Sequence, residues 1–242
     1  MNPFDLTGKR ALVTGANTGI GQAIAVALGN AGAEVVCAGR SGMDETLAMV
    51  PNGTALKLDF ADPMAATGIF GDQQIDILVN NAGIIRRDDS VDFSEADWDD
   101  VMDVNLKAVF FTCQAFAKAA LARGTGGKIV NIASLLSFQG GIRVPSYTAC
   151  KHGVAGLTKL MANEWAAKGI NVNALAPGYI STNNTTALRA DEERNKAILD
   201  RIPAGRWGDA SDMGGAAVFL ASSAANYVHG AVLNVDGGWL AR

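Results

Sequence analysis

Tyr147 and Lys151 stand four residues apart, a spacing that puts both side chains on one face of a helix. A phenol with an unperturbed pKa of ~10 is a poor base at neutral pH, but a neighbouring ammonium favours the phenolate and brings it into a useful range. The pair is therefore a candidate proton donor and acceptor. Ser134, thirteen positions upstream, can share a hydrogen bond with the same substrate oxygen and stabilise charge developing on it. Asn105 can hold a water against the lysine and pass protons to solvent. Together these four suit hydride transfer to or from a carbonyl or alcohol carbon, a reaction in which an oxygen gains or loses a proton. A Tyr-x-x-x-Lys pair alone is common on surface helices, so the reading depends on context.

That context begins near the amino terminus, where Thr14-Gly15-Ala16-Asn17-Thr18-Gly19-Ile20-Gly21 joins an expected strand to an expected helix. Three glycines let the chain turn tightly and let a pyrophosphate approach the backbone amides, with the helix N-terminus facing the phosphates. Gly15, Asn17, Thr18, Gly19, Ile20 and Gly21 are the candidate phosphate-side residues. The spacing is G-x-x-x-G-x-G, and it lacks the Gly-Lys-Ser/Thr ending of a P-loop. The plain alternative is a glycine-rich turn that binds nothing. Asp59-Phe60 and Asn81-Ala82-Gly83 follow the third and fourth expected strands and could line the adenosine half, although either could serve only as a turn. At the end of the second strand, the acid that would bind an unphosphorylated ribose is missing. Arg40 stands there instead. It can pair with a 2′-phosphate, which leans to NADP(H), or stack on adenine while Asp44 or Glu45 discourages phosphate.

To position these groups, the chain must form strands and helices in alternation. Short β-branched runs at 10–13, 34–38, 55–58, 75–79, 128–132, 171–175 and 232–235 read as strands, most of them apolar throughout. Helical periodicity at 21–31, 101–123, 146–168 and 211–221 supplies the crossovers, expected to be right-handed. The expected fold is α/β: a single-domain, Rossmann-type doubly wound parallel sheet of about seven strands with helices on both faces, spanning 1–242. The longest irregular stretch, 177–206, predicts a lid with a short helix near 191–199.

With 242 residues and 49% hydrophobic content, the chain can bury its own core. Twenty basic against twenty-four acidic residues leave a net charge of −4, which speaks against a nucleic-acid or anionic-membrane surface and for a small-molecule partner. Cys37, Cys113 and Cys150 have no paired spacing, and His152 and His229 are too few for a metal cluster, so neither a disulfide framework nor a metal is predicted. No secretory leader or membrane span is evident, and the expected location is cytoplasmic.

Thr14 to Gly21, Asn80 to Gly83, Asn105, Ser134, Tyr147, Lys151 and Pro177-Gly178 together resemble the short-chain dehydrogenase/reductase family over essentially the whole chain. The resemblance implies an NAD(P)-dependent enzyme whose catalytic tetrad is Asn105, Ser134, Tyr147 and Lys151. It further implies that Tyr147 and Lys151 also meet the cofactor, that Pro177, Gly178 and Ile180 lie beside the nicotinamide, and that the chain forms a homotetramer.

A narrower likeness rests on Asn80 to Arg87, Ser137 to Tyr147 and Arg201 to Gly208. These segments look like the branch of the family that handles keto-deoxy sugar acids of the 2-deoxy-gluconate or 4-deoxy-5-keto-uronate type. That branch works mostly with NAD(H), which pulls against the reading of Arg40; NAD(H) is the favoured expectation and NADP(H) the alternative. A sugar acid gives the arginines a purpose. Arg143 could clamp a carboxylate, and Gln139, Asn183 and Asn184 could meet hydroxyls, with Ser134 and Tyr147 at the reacting oxygen. Arg143 could equally be a loop charge or a subunit contact, and Arg86 and Arg87 backbone tethers or surface residues. Two other functions remain open: reduction of another carbonyl such as a 3-oxoacyl thioester, and non-catalytic dinucleotide binding.

Overall fold

The computed structural model describes residues 2–242. The apolar runs form the seven strands β1 (Arg10–Thr14), β2 (Glu34–Gly39), β3 (Gly53–Lys57), β4 (Ile77–Asn80), β5 (Gly127–Ile132), β6 (Ile170–Pro177) and β7 (Val232–Val235). All neighbours pair in parallel in the order β3-β2-β1-β4-β5-β6-β7. The chain builds outward from β1 to β3 and then returns to the other side of β1. Between β1 and β4 the order reverses, and the carboxyl ends of strands at such a point open a ligand crevice.

Strand alternation sends Leu12, Leu78 and Ile129 to one face, against α5 (Ala108–Arg123) and α6 (Pro145–Trp165). Val13, Val79 and Val130 point to the other face, against α1 (Gly19–Asn30) and α9 (Asp212–Ala221). Each fully buried aliphatic side chain contributes roughly 1.5–3 kcal/mol. Continuous burial holds for the central strands β4 and β6 but not for the edge strand β3, which is half-open to solvent.

The helix expected at 101–123 begins earlier, as α4 (Glu95–Met102), because the Ser94 hydroxyl caps it by accepting the Asp97 amide hydrogen. It passes through a π turn at Asp103–Lys107 before continuing as α5, which stops at Gly124 with φ 67°. Two short helices had no clear periodicity, α2 (Asp44–Met49) and α3 (Ile69–Asp72). The lid stretch carries α7 (Thr186–Ala190) as well as α8 (Glu192–Leu199), the latter close to the helix expected there. Among the described residues, no helix is long and apolar enough to cross a membrane.

Candidate active site

Pro145 at the first turn of α6, with its φ preset for a helix, starts the element that carries Tyr147 and Lys151. The Lys151 ammonium is buried. It donates a 2.6 Å hydrogen bond to the Ile132 carbonyl at the end of β5 and lies 5.4 Å from the centroid of the Tyr147 ring. Ser134, two residues beyond β5, starts a short 3-10 turn in which its hydroxyl accepts the Leu136 amide hydrogen. Ser137, at the end of that turn, donates a 2.6 Å bond to the Lys151 carbonyl and so ties the turn to α6. Sequence reasoning missed Ser137, because a serine in a loop carries no signal of its distant partner.

Burial pushes the Tyr147 phenol above its ordinary value, while the Ser134 hydrogen bond and the Arg87 charge pull it down. Burial also lowers Lys151 to about 8. The expectation that the ammonium governs the phenol is therefore corrected in sign: desolvation governs both groups, and the phenol is neutral at pH 7. A neutral phenol is the form that can give a proton to a carbonyl oxygen.

Asn105 sits in the π turn, a distortion of the hydrogen-bond ladder often found at functional positions. Its amide oxygen accepts from the Ile84 N–H and its amide nitrogen donates to the Ile84 carbonyl, each at 2.8 Å. The side chain thus pins the loop after β4 at Ile84.

At the cofactor end, Gly15 and Gly19 adopt left-handed backbone at φ +63° and +59°. A Cβ at Gly21 would collide with the Gly15 carbonyl and the Asn81 amide. Thr18 precedes α1 in extended conformation with no side-chain cap, and no acid lies in the first turn. The leading amides of this twelve-residue helix therefore suit an anion, as a dinucleotide pyrophosphate requires. Ile20 follows in the first turn and packs against the core. Asn81 braces the turn from below, donating at 3.0 Å to the carbonyls of Thr14 and Gly15, while the Thr14 hydroxyl accepts from the N–H groups of Asn81 and Ala82. Gly83 lies against Asn105. Thr46, unforeseen in the sequence, adds a 2.9 Å bond to the Ala16 carbonyl from α2 and a longer one to that of Asn17.

Arg40 is exposed at the end of β2, and the residue before it, Gly39, lies beside the Asn17 side chain. Among the described residues its guanidinium has no ion pair. The Asp59 carboxylate accepts the Ala61 N–H as a turn former. Phe60, the residue after it, packs its ring with Ala66, Val104 and Ala108, which leaves its main chain to face the crevice side of the strand end. Across the crevice, Gly178 binds the Val235 carbonyl and passes so close to Asp236 that a Cβ there would press on it. Pro177 and Ile180 are buried, and Thr182 of the lid faces Gly19.

The expected substrate residues fare differently. Arg143 holds a left-handed backbone at φ 65° and makes exposed pairs with Asp89 at 3.1 Å and Asp88 at 3.9 Å, as a loop charge would. Gln139 accepts a hydrogen bond from the Trp239 indole. Asn183 opens a short turn of the lid, and Asn184 offers its main-chain carbonyl to the Arg87 guanidinium at 3.2 Å. Behind the lid, Tyr179 packs edge-on to Trp207 and tilted on Trp239, giving that side a rigid aromatic wall.

Comparison with known proteins places this geometry. A family described as Enoyl-(Acyl carrier protein) reductase matches residues 15–240. The 2-dehydro-3-deoxy-D-gluconate 5-dehydrogenase of Escherichia coli is 58% identical, covering 100% of this chain and 99% of its own. A crystal structure from Agrobacterium tumefaciens, provisionally named a 2-deoxy-D-gluconate 3-dehydrogenase and holding NADP, is 75% identical with a TM-score of 0.99 and full coverage of both chains. One from Beutenbergia cavernae, provisionally an NAD(P)-dependent gluconate 5-dehydrogenase with NADP at low occupancy, is 50% identical with a TM-score of 0.96, again covering both chains fully.

Proposed function

This chain belongs to the short-chain dehydrogenase/reductase family and is an NAD(P)-dependent oxidoreductase of the alcohol/carbonyl couple; from that premise we propose that its substrate is a keto-deoxy sugar acid. The observation that carries the reading is the buried Lys151 ammonium beside Tyr147, with Ser134 within reach of the phenol, at the same carboxyl edge of the parallel sheet from which the uncapped N-terminus of α1 springs. Full-length likeness to sugar-acid dehydrogenases supports the substrate class.

In this reading NAD(P)H, when bound, supplies the hydride. The protein's own groups do the rest. Gly15, Gly19, Gly21 and the leading amides of α1 hold the pyrophosphate, and Asn81 keeps that turn in shape. Asp59, Ala82 and Gly83 border the adenosine side, and Pro177, Gly178 and Ile180 border the nicotinamide. Tyr147 gives its proton to the carbonyl oxygen during reduction, Ser134 hydrogen-bonds the same oxygen, and Lys151 supplies positive charge as negative charge develops. Asn105 positions the loop at Ile84 through its two amide bonds.

For the cofactor, the unpaired Arg40 and the NADP in both solved relatives favour NADP(H) over the NAD(H) that the sugar-acid likeness leads one to expect. A homotetramer in the cytoplasm fits the family and is part of the same proposal. The test is a kinetic grid of NADH and NADPH against several keto-deoxy sugar acids and a 3-oxoacyl thioester, compared as kcat/KM. The highest values are expected for a sugar acid with NADPH; the thioester in first place would overturn the substrate reading.

A further inference from the structure

Trp239 stands just beyond β7 on a turn fixed by the Asp236 carboxylate, which accepts the N–H groups of Gly238 and Leu240 at 2.9 and 3.0 Å. Its side chain is buried and meets three separate parts of the molecule. The Arg201 guanidinium, two residues past the lid helix α8, lies 4.1 Å from the ring centroid. Tyr179, the neighbour of Gly178, leans on the same ring with centroids 4.7 Å apart. The indole N–H donates at 3.3 Å to the side-chain oxygen of Gln139, which lies in the loop between the Ser134 turn and α6. An indole nitrogen can only donate, so this bond also fixes which end of the Gln139 amide faces the ring.

Apolar packing follows the same lines. Trp239 shares one buried cluster with Leu135, the residue after Ser134, with Ile198 of α8 and with Ile202 beyond it. That cluster is distinct from the two cores that flank the sheet, so Ile198 of the lid buries itself against the indole and the neighbour of Ser134. Ser137 ties the end of the Ser134 turn to α6, while Leu135 at its start lies on the Trp239 cluster.

We propose that Trp239 is a positioning residue for the reaction. Through Leu135 and Gln139 it holds the Ser134 turn where the hydroxyl meets the substrate oxygen, and through Arg201 and Ile198 it makes that placement depend on a seated lid. The inference rests on the role given to Ser134 above. A donor aimed at developing charge is worth most when it is preorganised, and preorganisation comes from the side chains that support it. Trp239 itself meets neither substrate nor cofactor in this assignment, so its loss acts on kcat and leaves dinucleotide affinity in place.

The experiment uses the carbonyl substrate that ranks first in the kinetic grid. Trp239→Phe keeps a ring beside Tyr179 and loses the indole donor; kcat is expected to fall by about fivefold, with KM for NADPH within about twofold of wild type. Gln139→Met should give the same fall, and the double variant no more than either alone, because both changes remove one bond. Placed in a Ser134→Ala background, Trp239→Phe should change kcat by less than about twofold, since the group it positions is gone. The full fall in both backgrounds is what a merely structural role produces, and it overturns the assignment. Arg201→Met strips the cation from the ring and is expected to lower kcat by about threefold; an unchanged kcat there overturns the dependence on the lid. A melting curve reports folding, and should Trp239→Phe not fold, Gln139→Met carries the same cycle with Ser134→Ala. Wild-type kcat in folded Trp239→Phe overturns the proposal, as does a Gln139→Met variant that alters only the substrate KM, which makes Gln139 a direct substrate contact. Full activity in Ser134→Ala, by contrast, sinks the role of Ser134 itself, and that of Trp239 with it.

Discussion

Lys151 donates to the carbonyl of Ile132 across 2.6 Å, a bond that joins the helix bearing Tyr147 to the strand that ends just before Ser134. The ammonium is buried, so its orientation is set by that carbonyl and by the Tyr147 ring beside it. The helix bearing Tyr147 and the segment bearing Ser134 are therefore joined by this bond and by the one from the Ser137 hydroxyl to the Lys151 carbonyl.

Replacing Tyr147 by Phe removes the proton donor and keeps the ring that packs beside Lys151. Turnover is expected to fall by about 10²–10⁴-fold, the usual contribution of general acid catalysis, with dinucleotide affinity retained. Steady-state kinetics paired with NADPH fluorescence titration checks this; wild-type turnover in the variant removes Tyr147 from its role.

The pH dependence follows from Lys151, lowered by burial to about 8. Its ammonium charge is lost as pH rises through that value, so kcat/KM for carbonyl reduction is expected to be level below about 8 and to decline above it. A profile that stays level through pH 10 contradicts the role given to the lysine.

Stability carries the opposite sign in the same region. Between about 8 and the ordinary lysine value of 10.5, the unfolded chain holds the proton that folded Lys151 has released, so this residue makes the protein more stable as pH rises through that window. Lys128, also lowered to about 8 by burial, acts in the same direction. Denaturant melts of Lys151→Met should show a shallower rise than the wild type; identical slopes would mean that the burial of Lys151 is not felt in folding.

Asn105→Ala leaves the Ile84 N–H and carbonyl without their side-chain partner. The expected cost is about 1–3 kcal/mol, seen as a fall in Tm of about 2–4 °C per kcal/mol for a chain of this size, together with a raised KM as the loop loosens. An unaltered melting curve and KM would show that the π turn has no need of that amide.

Arg40→Met is expected to raise KM for NADPH by about tenfold while changing KM for NADH little, because only the former carries the phosphate the guanidinium would pair with. Equal effects on the two cofactors would assign Arg40 to adenine stacking.

Much of this protein is already legible in one dimension. The alternation of apolar runs and helical periods identifies the parallel sheet, since strands covered on both faces must be apolar throughout and helices covering them must repeat every three to four residues. The glycine turn, Ser134 and the Tyr147–Lys151 spacing are equally local, because a tight turn or a shared helix face is set by neighbours in the chain. Contacts between distant segments are not encoded that way. Arg143 and Arg87 look alike in the sequence, yet Asp88 and Asp89 fold back to pair with the first, while the second meets only the main-chain carbonyl of Asn184. Phe60 turns into the core and the Asn105 amide turns to Ile84 for the same reason. Burial, too, exists only once the layers close, and burial reverses the expected shift of the Tyr147 phenol. Types and spacings determine which groups are present; which of them remain free to meet a substrate is decided by long-range pairing and desolvation, which only the assembled structure contains.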